Sequence, residues 1–170
     1  PHRTFIWFIL PSLAAMILID RGKLSMDTPV ADVLPEWNAL QVLDGWNGDE
    51  PILRAPKTVA TTRHLATHTS GMEYEFWNGD VPRYLHLKNH PTVLSGLKSS
   101  LMYPLTSDPG TRWGYGPGID WLGQMVEAVD GRRIDAFCRE EIFEPLGMAD
   151  TVFEPDSLTD RLSEVSMRNE

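Results

Sequence analysis

The stretch that most constrains this chain runs from Ile119 to Gly131. Ile119, Leu122, Val126 and Val129 fall on one helical face, Asp120 suits the first turn and Gly131 the end. A helix with such a stripe must be covered by other elements, and the patterns around it are mostly helical too. Ser12 to Leu24 offers Leu13, Met16, Ile17 and Ile19 as an apolar face, with Gly22 as a stop. Ile134 to Phe143 stacks Ile134, Phe137, Cys138 and Ile142 before Pro145 and Gly147 close it. Pro91 to Leu101 predicts a helix with Val93, Leu94, Leu97 and Leu101 inward. Asp27 to Trp37 reads as a short helical turn, and a further helix starts at Thr61 or Thr62, either of which can cap it, and runs to His68. Asn38 to Ala60 has little periodicity and reads as a loop or short hairpin arm, Thr69 to Pro82 as an ordered aromatic loop, and Thr106 to Gly118 as turn-rich. Few strands are convincing.

With 170 residues and 42% hydrophobic content, the chain can build one globular core. A net charge of −9, with no basic cluster, argues against a nucleic-acid groove and an anionic membrane surface, so neither partner is expected. The single cysteine, Cys138, excludes an internal disulfide and sits in an apolar stripe, where a small buried residue is expected rather than a reactive thiol. Thr4 to Ile19 is apolar, but Pro11 interrupts it and Asp20 ends it, whereas a spanning helix needs roughly 20 unbroken apolar residues. Residues 1–11 therefore read as a divergent leader, with Pro1 pointing to a natural start further upstream, residues 12–155 as the domain, and 156–170 as a polar, peripheral tail.

Four stretches in order carry a family resemblance. They are Ile19-Asp20-Arg21-Gly22-Lys23-Leu24 with Asp27 to Val30; Arg63-His64-Leu65-Ala66-Thr67-His68-Thr69-Ser70-Gly71; Pro109-Gly110-Thr111-Arg112-Trp113-Gly114-Tyr115; and Ile142-Phe143-Glu144-Pro145-Leu146-Gly147-Met148 with Asp150-Thr151. Together they resemble the β-lactamase-related serine hydrolases, and Tyr115 to Trp121 looks most like the esterase and acyltransferase branch. The resemblance implies an α/β fold of the β-lactamase/transpeptidase kind, present here as a mostly helical partial domain. It implies a small-molecule ester or acyl substrate and no cofactor. In that family a serine in an SxxK motif attacks the carbonyl, the lysine one turn later helps deprotonate it, and a tyrosine shuttles the proton of the leaving group. Tyr115 matches the tyrosine. Pro117 stands where a YxN motif has its amide, which favours esters over β-lactams.

The resemblance also exposes a departure. Counted back without a gap from Ala14-Ala15-Met16, the serine and lysine positions fall on Phe5 and Phe8, which carry no nucleophilic oxygen and no titratable nitrogen. The expectation is an inactive form or fragment of such an enzyme, with a non-catalytic ligand- or partner-binding homologue as the alternative. No Lys/His-Thr-Gly or tryptophan-bearing strand follows between Tyr115 and Glu170. A literal SxxK does occur at Ser95 and Lys98, but too near Tyr115 for the family's order. Tyr74, Trp77 and Trp113, with Phe76 and Tyr84, are the candidates for an apolar acyl pocket, their plainer reading being subdomain core. His64 and His68, spaced like His86 and His90, raise a metal site, but a bare HxxxH lacks a third ligand and no metal is expected. Ser70 lacks the glycine two residues earlier that a nucleophile elbow needs, so a turn role is expected.

Overall fold

The computed structural model describes the backbone of residues 3–154 and 160–161, and side chains from Ile9 onward. In chain order its elements are α1 (Arg3–Asp20), α2 (Val30–Val33), β1 (Val42–Asn47), β2 (Glu50–Arg54), α3 (Thr62–Ala66), α4 (Asp80–Leu87), α5 (Gly118–Asp130) and α6 (Ile134–Cys138). Tight 3-10 turns lie at Pro35–Ala39, Val93–Ser95 and Lys98–Leu101, and a wide π-type turn at Arg139–Phe143. The tail expected over 156–170 lies outside the described residues except for 160–161, and so do the side chains of Phe5 and Phe8.

The α5 pattern folds as its spacing requires. Trp121, Leu122, Met125 and Val126 are fully buried, and Gly131 closes the helix at φ 86° with its N–H on the Glu127 carbonyl at 2.8 Å. Trp121 meets Trp37 edge to face, with ring centroids 5.2 Å apart. Across α5 lies α1, which buries Leu10, Ala14, Ala15 and Leu18. The small alanines let the two helices close up, and a Cβ on Gly123 would stand 3.8 Å from that of Pro11.

Here the structure corrects the expected helix boundaries. α1 starts at Arg3 rather than Ser12, passes through Pro11 and ends at Asp20 rather than Leu24. A proline costs an interior helix one hydrogen bond and a clash with the preceding turn; burial of Leu10, Pro11, Ala14 and Leu18 offsets this. Leu13 and Met16, expected inward, point out: with Ile9 they form a stripe at one-turn spacing that is 40–59% exposed. Among the described residues no helix is long and apolar enough to cross a membrane.

Pro91 to Leu101 is likewise not one helix. Gly96 adopts φ 68° and splits the segment into two 3-10 turns, leaving Leu94 and Leu97 exposed while Leu101 is buried. The aromatic loop that was expected to reach Pro82 gives way to α4 at Asp80, whose carboxylate accepts the Trp46 indole N–H at 2.9 Å. The 38–60 stretch does form a hairpin: β1 and β2 pair antiparallel from Val42 with Arg54 to Asn47 with Glu50, bulged between Leu43 and Trp46. Val42 also bridges to Leu105 in parallel, and the Leu43 N–H reaches the Leu105 carbonyl at 2.8 Å. This anchors the start of the 106–117 loop to the core.

Candidate active site

Two irregular segments build the site: residues 68–78, which follow α3, and residues 106–117, which lead into α5. Backbone bonds staple them together. The Gly110 N–H reaches the Thr69 carbonyl (2.7 Å), Gly114 reaches His68 (2.9 Å), Thr106 reaches Gly71 (2.7 Å), and the Tyr74 N–H reaches Tyr115 (3.0 Å). The approach is too close for side chains at three points, one of them Gly114, where a Cβ would collide with the buried Glu73 carboxylate. A Cβ on Gly71 or on Gly116 would collide with the backbone carbonyl oxygen of Ser107 or of Met72, respectively. The hairpin fixes the far end of the second segment. Arg54 grips Asp108 with two bonds of 2.8 and 2.9 Å, and the Lys57 N–H adds a third at 2.8 Å. The Arg54 guanidinium and that N–H hold the Asp108 carboxyl down to about 2.

Between the segments sits a buried carboxylate, Glu73. It pairs with Arg112 at 2.8 Å and accepts a bond from the Asn78 amide, while the buried Tyr103 hydroxyl donates to its backbone carbonyl at 2.8 Å. These contacts tie the 73–78 and 112–115 stretches into one body.

Tyr115 lies at the centre of what results. Its ring centroid is 5.2 Å from that of Tyr74, 5.7 Å from Trp77 and 5.3 Å from His68; Trp113 stands 5.8 Å from Trp77 and Phe76 stacks on Tyr74 at 5.0 Å. The four site residues picked from the sequence, Tyr74, Trp77, Trp113 and Tyr115, thus converge. Tyr74 is buried, whereas Phe76, Trp77 and Trp113 are each more than half exposed in this chain. Tyr84, on α4, packs against the core instead. Burial raises the Tyr115 phenol above the ordinary tyrosine value, and the Asp120 carboxylate adds to the rise. The Tyr74 hydroxyl donates to Asp120 at 2.9 Å.

Two cavities lie to the side of Tyr115 and are not lined by it. One of about 470 Å³ runs between Asp135 and Glu154 beside Phe143 and Phe153. The other, about 340 Å³, lies between Pro11, Leu97 and Asp120.

The remaining candidates separate. Ser95 and Lys98 do not share a helix face: Gly96 breaks the segment between them, and the Lys98 ammonium is paired with Glu36 at 2.7 Å. His64 turns back to accept the Thr61 N–H at 3.2 Å at the start of α3, while His68, beyond the helix at φ 56°, faces Tyr115. The HxxxH spacing therefore does not converge, and among the described residues no group of three or more His, Cys, Asp or Glu is placed to hold a metal. Burial, opposed by a hydrogen bond with the Gly116 backbone, pulls the His68 imidazole below its usual value, which keeps it neutral at pH 7. Ser70 is buried in a turn, its Oγ facing the Met72 N–H at 3.5 Å. Cys138 is fully buried, and that burial pushes its thiol up to about 11, well away from thiolate reactivity. The sequence offers His68 only as a metal candidate and Asp120 only as a first-turn helix charge within the Tyr115–Trp121 stretch, and it gives no signal for Glu73.

The two stapled loops carry the motifs of one known family, and a family model described as Beta-lactamase matches residues 10–166. The chain belongs to the beta-lactamase family. Within this family it is 36% identical over 152 residues to a lovastatin esterase of Penicillium rubens, covering 86% of this chain and 38% of that protein. It is 34% identical over 158 residues to an acyltransferase of Monascus pilosus, covering 91% of this chain and 38% of the other. Among solved structures it superposes on unliganded simvastatin synthase from Aspergillus terreus with a TM-score of 0.80 at 34% identity, covering 90% of this chain and 40% of that one. The β-lactamase/transpeptidase-like fold implied by the motifs is thereby established, as a partial domain. The chain spans 38% of the length of the two curated relatives.

Proposed function

We propose that this chain is the helical part, residues 12–155, of an ester hydrolase or acyltransferase that works through an acyl-enzyme, with Tyr115 as its proton-shuttling group. The observation that carries this reading is the convergence of Tyr74, Trp77 and Trp113 on Tyr115, at the family's tyrosine position and on loops stapled by four backbone bonds. An apolar surface open on one side suits the acyl part of an ester, and Tyr115 is held where it can pass a proton to a leaving group. Pro117 in the third position of the tyrosine motif favours esters over β-lactams.

As it stands, the chain is proposed to be inactive by itself. Acyl transfer needs an oxygen nucleophile and a basic neighbour, and the two positions that the resemblance assigns to them hold Phe5 and Phe8. Burial, and after it the Asp120 carboxylate, push the Tyr115 phenol above its ordinary value. At neutral pH the side chain is a phenol, able to give a proton but not to take one. The test is hydrolysis of p-nitrophenyl esters by the purified chain. No rate above buffer is expected; a saturable rate that disappears in Tyr115→Phe would overturn the inactivity.

A second reading, a non-catalytic homologue that binds a small acyl ligand or a partner, is favoured by the exposure of Phe76, Trp77 and Trp113, at 64%, 56% and 56%. Quenching or a shift of tryptophan fluorescence on titration with a short-chain ester, without turnover, would support it.

A further inference from the structure

Asp120 lies in the Tyr115–Trp121 stretch, where the resemblance assigns it no role, yet it is linked to Tyr115 through Tyr74. It stands in the first turn of α5, five residues after Tyr115, and borders the 340 Å³ cavity beside Pro11 and Leu97. Its Oδ2 accepts the Tyr74 hydroxyl at 2.9 Å. Tyr74 in turn touches Tyr115 twice: through the ring, edge to face at 5.2 Å, and through its N–H, which donates to the Tyr115 carbonyl at 3.0 Å. Among the aromatic rings around Tyr115, Tyr74 is the buried one; Phe76 and Trp77 stand in solvent.

We propose that Asp120 is a positioning residue for Tyr115: its carboxylate anchors the Tyr74 phenol, and the anchored Tyr74 fixes the place and orientation of the Tyr115 ring. The inference rests on reading Tyr115 as the proton-shuttling group. A hydrogen bond to an ionised carboxylate is shorter and stronger than one between neutral groups, so Tyr74 is held at both ends, by Asp120 at the hydroxyl and by Tyr115 at the backbone. The other charges nearby are already engaged. Glu73 faces Arg112 at 2.8 Å and the Asn78 amide, Glu75 accepts the Val93 N–H at 3.2 Å, and Lys98, across the cavity, is paired with Glu36 at 2.7 Å. His68 is held neutral by burial. Asp120 is exposed to solvent as a residue, and its Oδ2 is turned onto the Tyr74 hydroxyl; among the described residues no ion pair forms on it. Although the residue reaches solvent, the protein packed around its carboxyl raises it, and the Tyr74 bond and a backbone hydrogen bond at the helix start oppose the rise. Asp120 thus does two separable things to Tyr115: it places the ring through Tyr74, and it disfavours the phenolate through its charge.

The test follows the ring resonances and titration of the four tyrosines by NMR in the full 170-residue chain carrying ring-labelled tyrosine. Asp120→Asn is expected to move the Tyr115 ring resonances and to lower its titration midpoint toward the ordinary tyrosine value. Tyr74→Phe keeps the carboxylate and removes the anchor, so it is expected to move the ring resonances while the midpoint stays raised. A purely structural role for Asp120 would change the melting temperature of both variants without this split. If Asp120→Asn does not fold, Tyr74→Phe decides alone. Tyr115 resonances unmoved in Tyr74→Phe overturn the proposal, and so does an unmoved midpoint in a folded Asp120→Asn. These readouts need no turnover, so a failed ester assay counts against the catalytic reading and leaves the positioning tested on its own.

Discussion

Replacing Arg112 by alanine removes the charged partner of a carboxylate that is out of water. The Glu73 side chain is 6% exposed and that of Arg112 is 48% exposed, with 2.8 Å between them. Breaking a fully buried pair from one side costs about 3–5 kcal/mol, because the remaining charge is stranded. Arg112 is half in solvent, which screens its contribution, and the Asn78 amide stays on Glu73; the expected cost is therefore about 1–2 kcal/mol. In a chain of this size each kcal/mol lowers the melting temperature by about 2–4 °C, so Arg112→Ala should melt about 2–8 °C below the parent. The double variant Arg112→Ala with Glu73→Gln has no charge to strand and should recover part of the loss. Thermal unfolding followed by circular dichroism measures both. If Arg112→Ala melts within about 1 °C of the parent, the pair does not hold the two loops together and the stapled-loop account of the site fails.

Acid should loosen the same region. The Asp108 carboxyl is held at about 2 in the folded chain against about 3.9 when unfolded, so its contribution is complete above about pH 5 and is lost as the pH falls through about 2. Denaturant midpoints for the parent and Asp108→Asn should converge over that interval; a gap that stays constant from pH 5 to about 2 contradicts the linkage. The outward stripe of Ile9, Leu13 and Met16 leaves contiguous apolar surface in solvent. Light scattering should accordingly show self-association of the chain, relieved when Leu13 and Met16 are made polar, whereas a monomeric parent would contradict this.

The α5 helix could be read from the sequence because its apolar spacing, its first-turn acid and its terminal glycine all agree, whereas the clustered turn residues of 38–60 left a loop and a hairpin equally open. The 91–101 segment shows how periodicity misleads: Val93, Leu94, Leu97 and Leu101 have helical spacing, but Gly96 takes a left-handed conformation between them and Leu94 is left 84% exposed. Helix α4 escaped notice because only Val81 and Leu85 of its eight residues are buried, too thin a stripe to stand out. In the site, Tyr115 was legible through its motif, and Tyr74, Trp77 and Trp113 through their chemistry. Their convergence was not, since it depends on backbone bonds between segments some 40 residues apart in the chain, such as Tyr74 with Tyr115. Asp120 looked like a helix-dipole residue because nothing in its spacing points to the hydroxyl of Tyr74.

The central proposal is that the Tyr115 site of this chain has no oxygen nucleophile to serve. Incubating the purified chain with a fluorophosphonate probe and mapping any adduct by mass spectrometry tests it directly. The account predicts no serine carrying the probe; a stoichiometric adduct on a serine, abolished by replacing that residue with alanine, would contradict it.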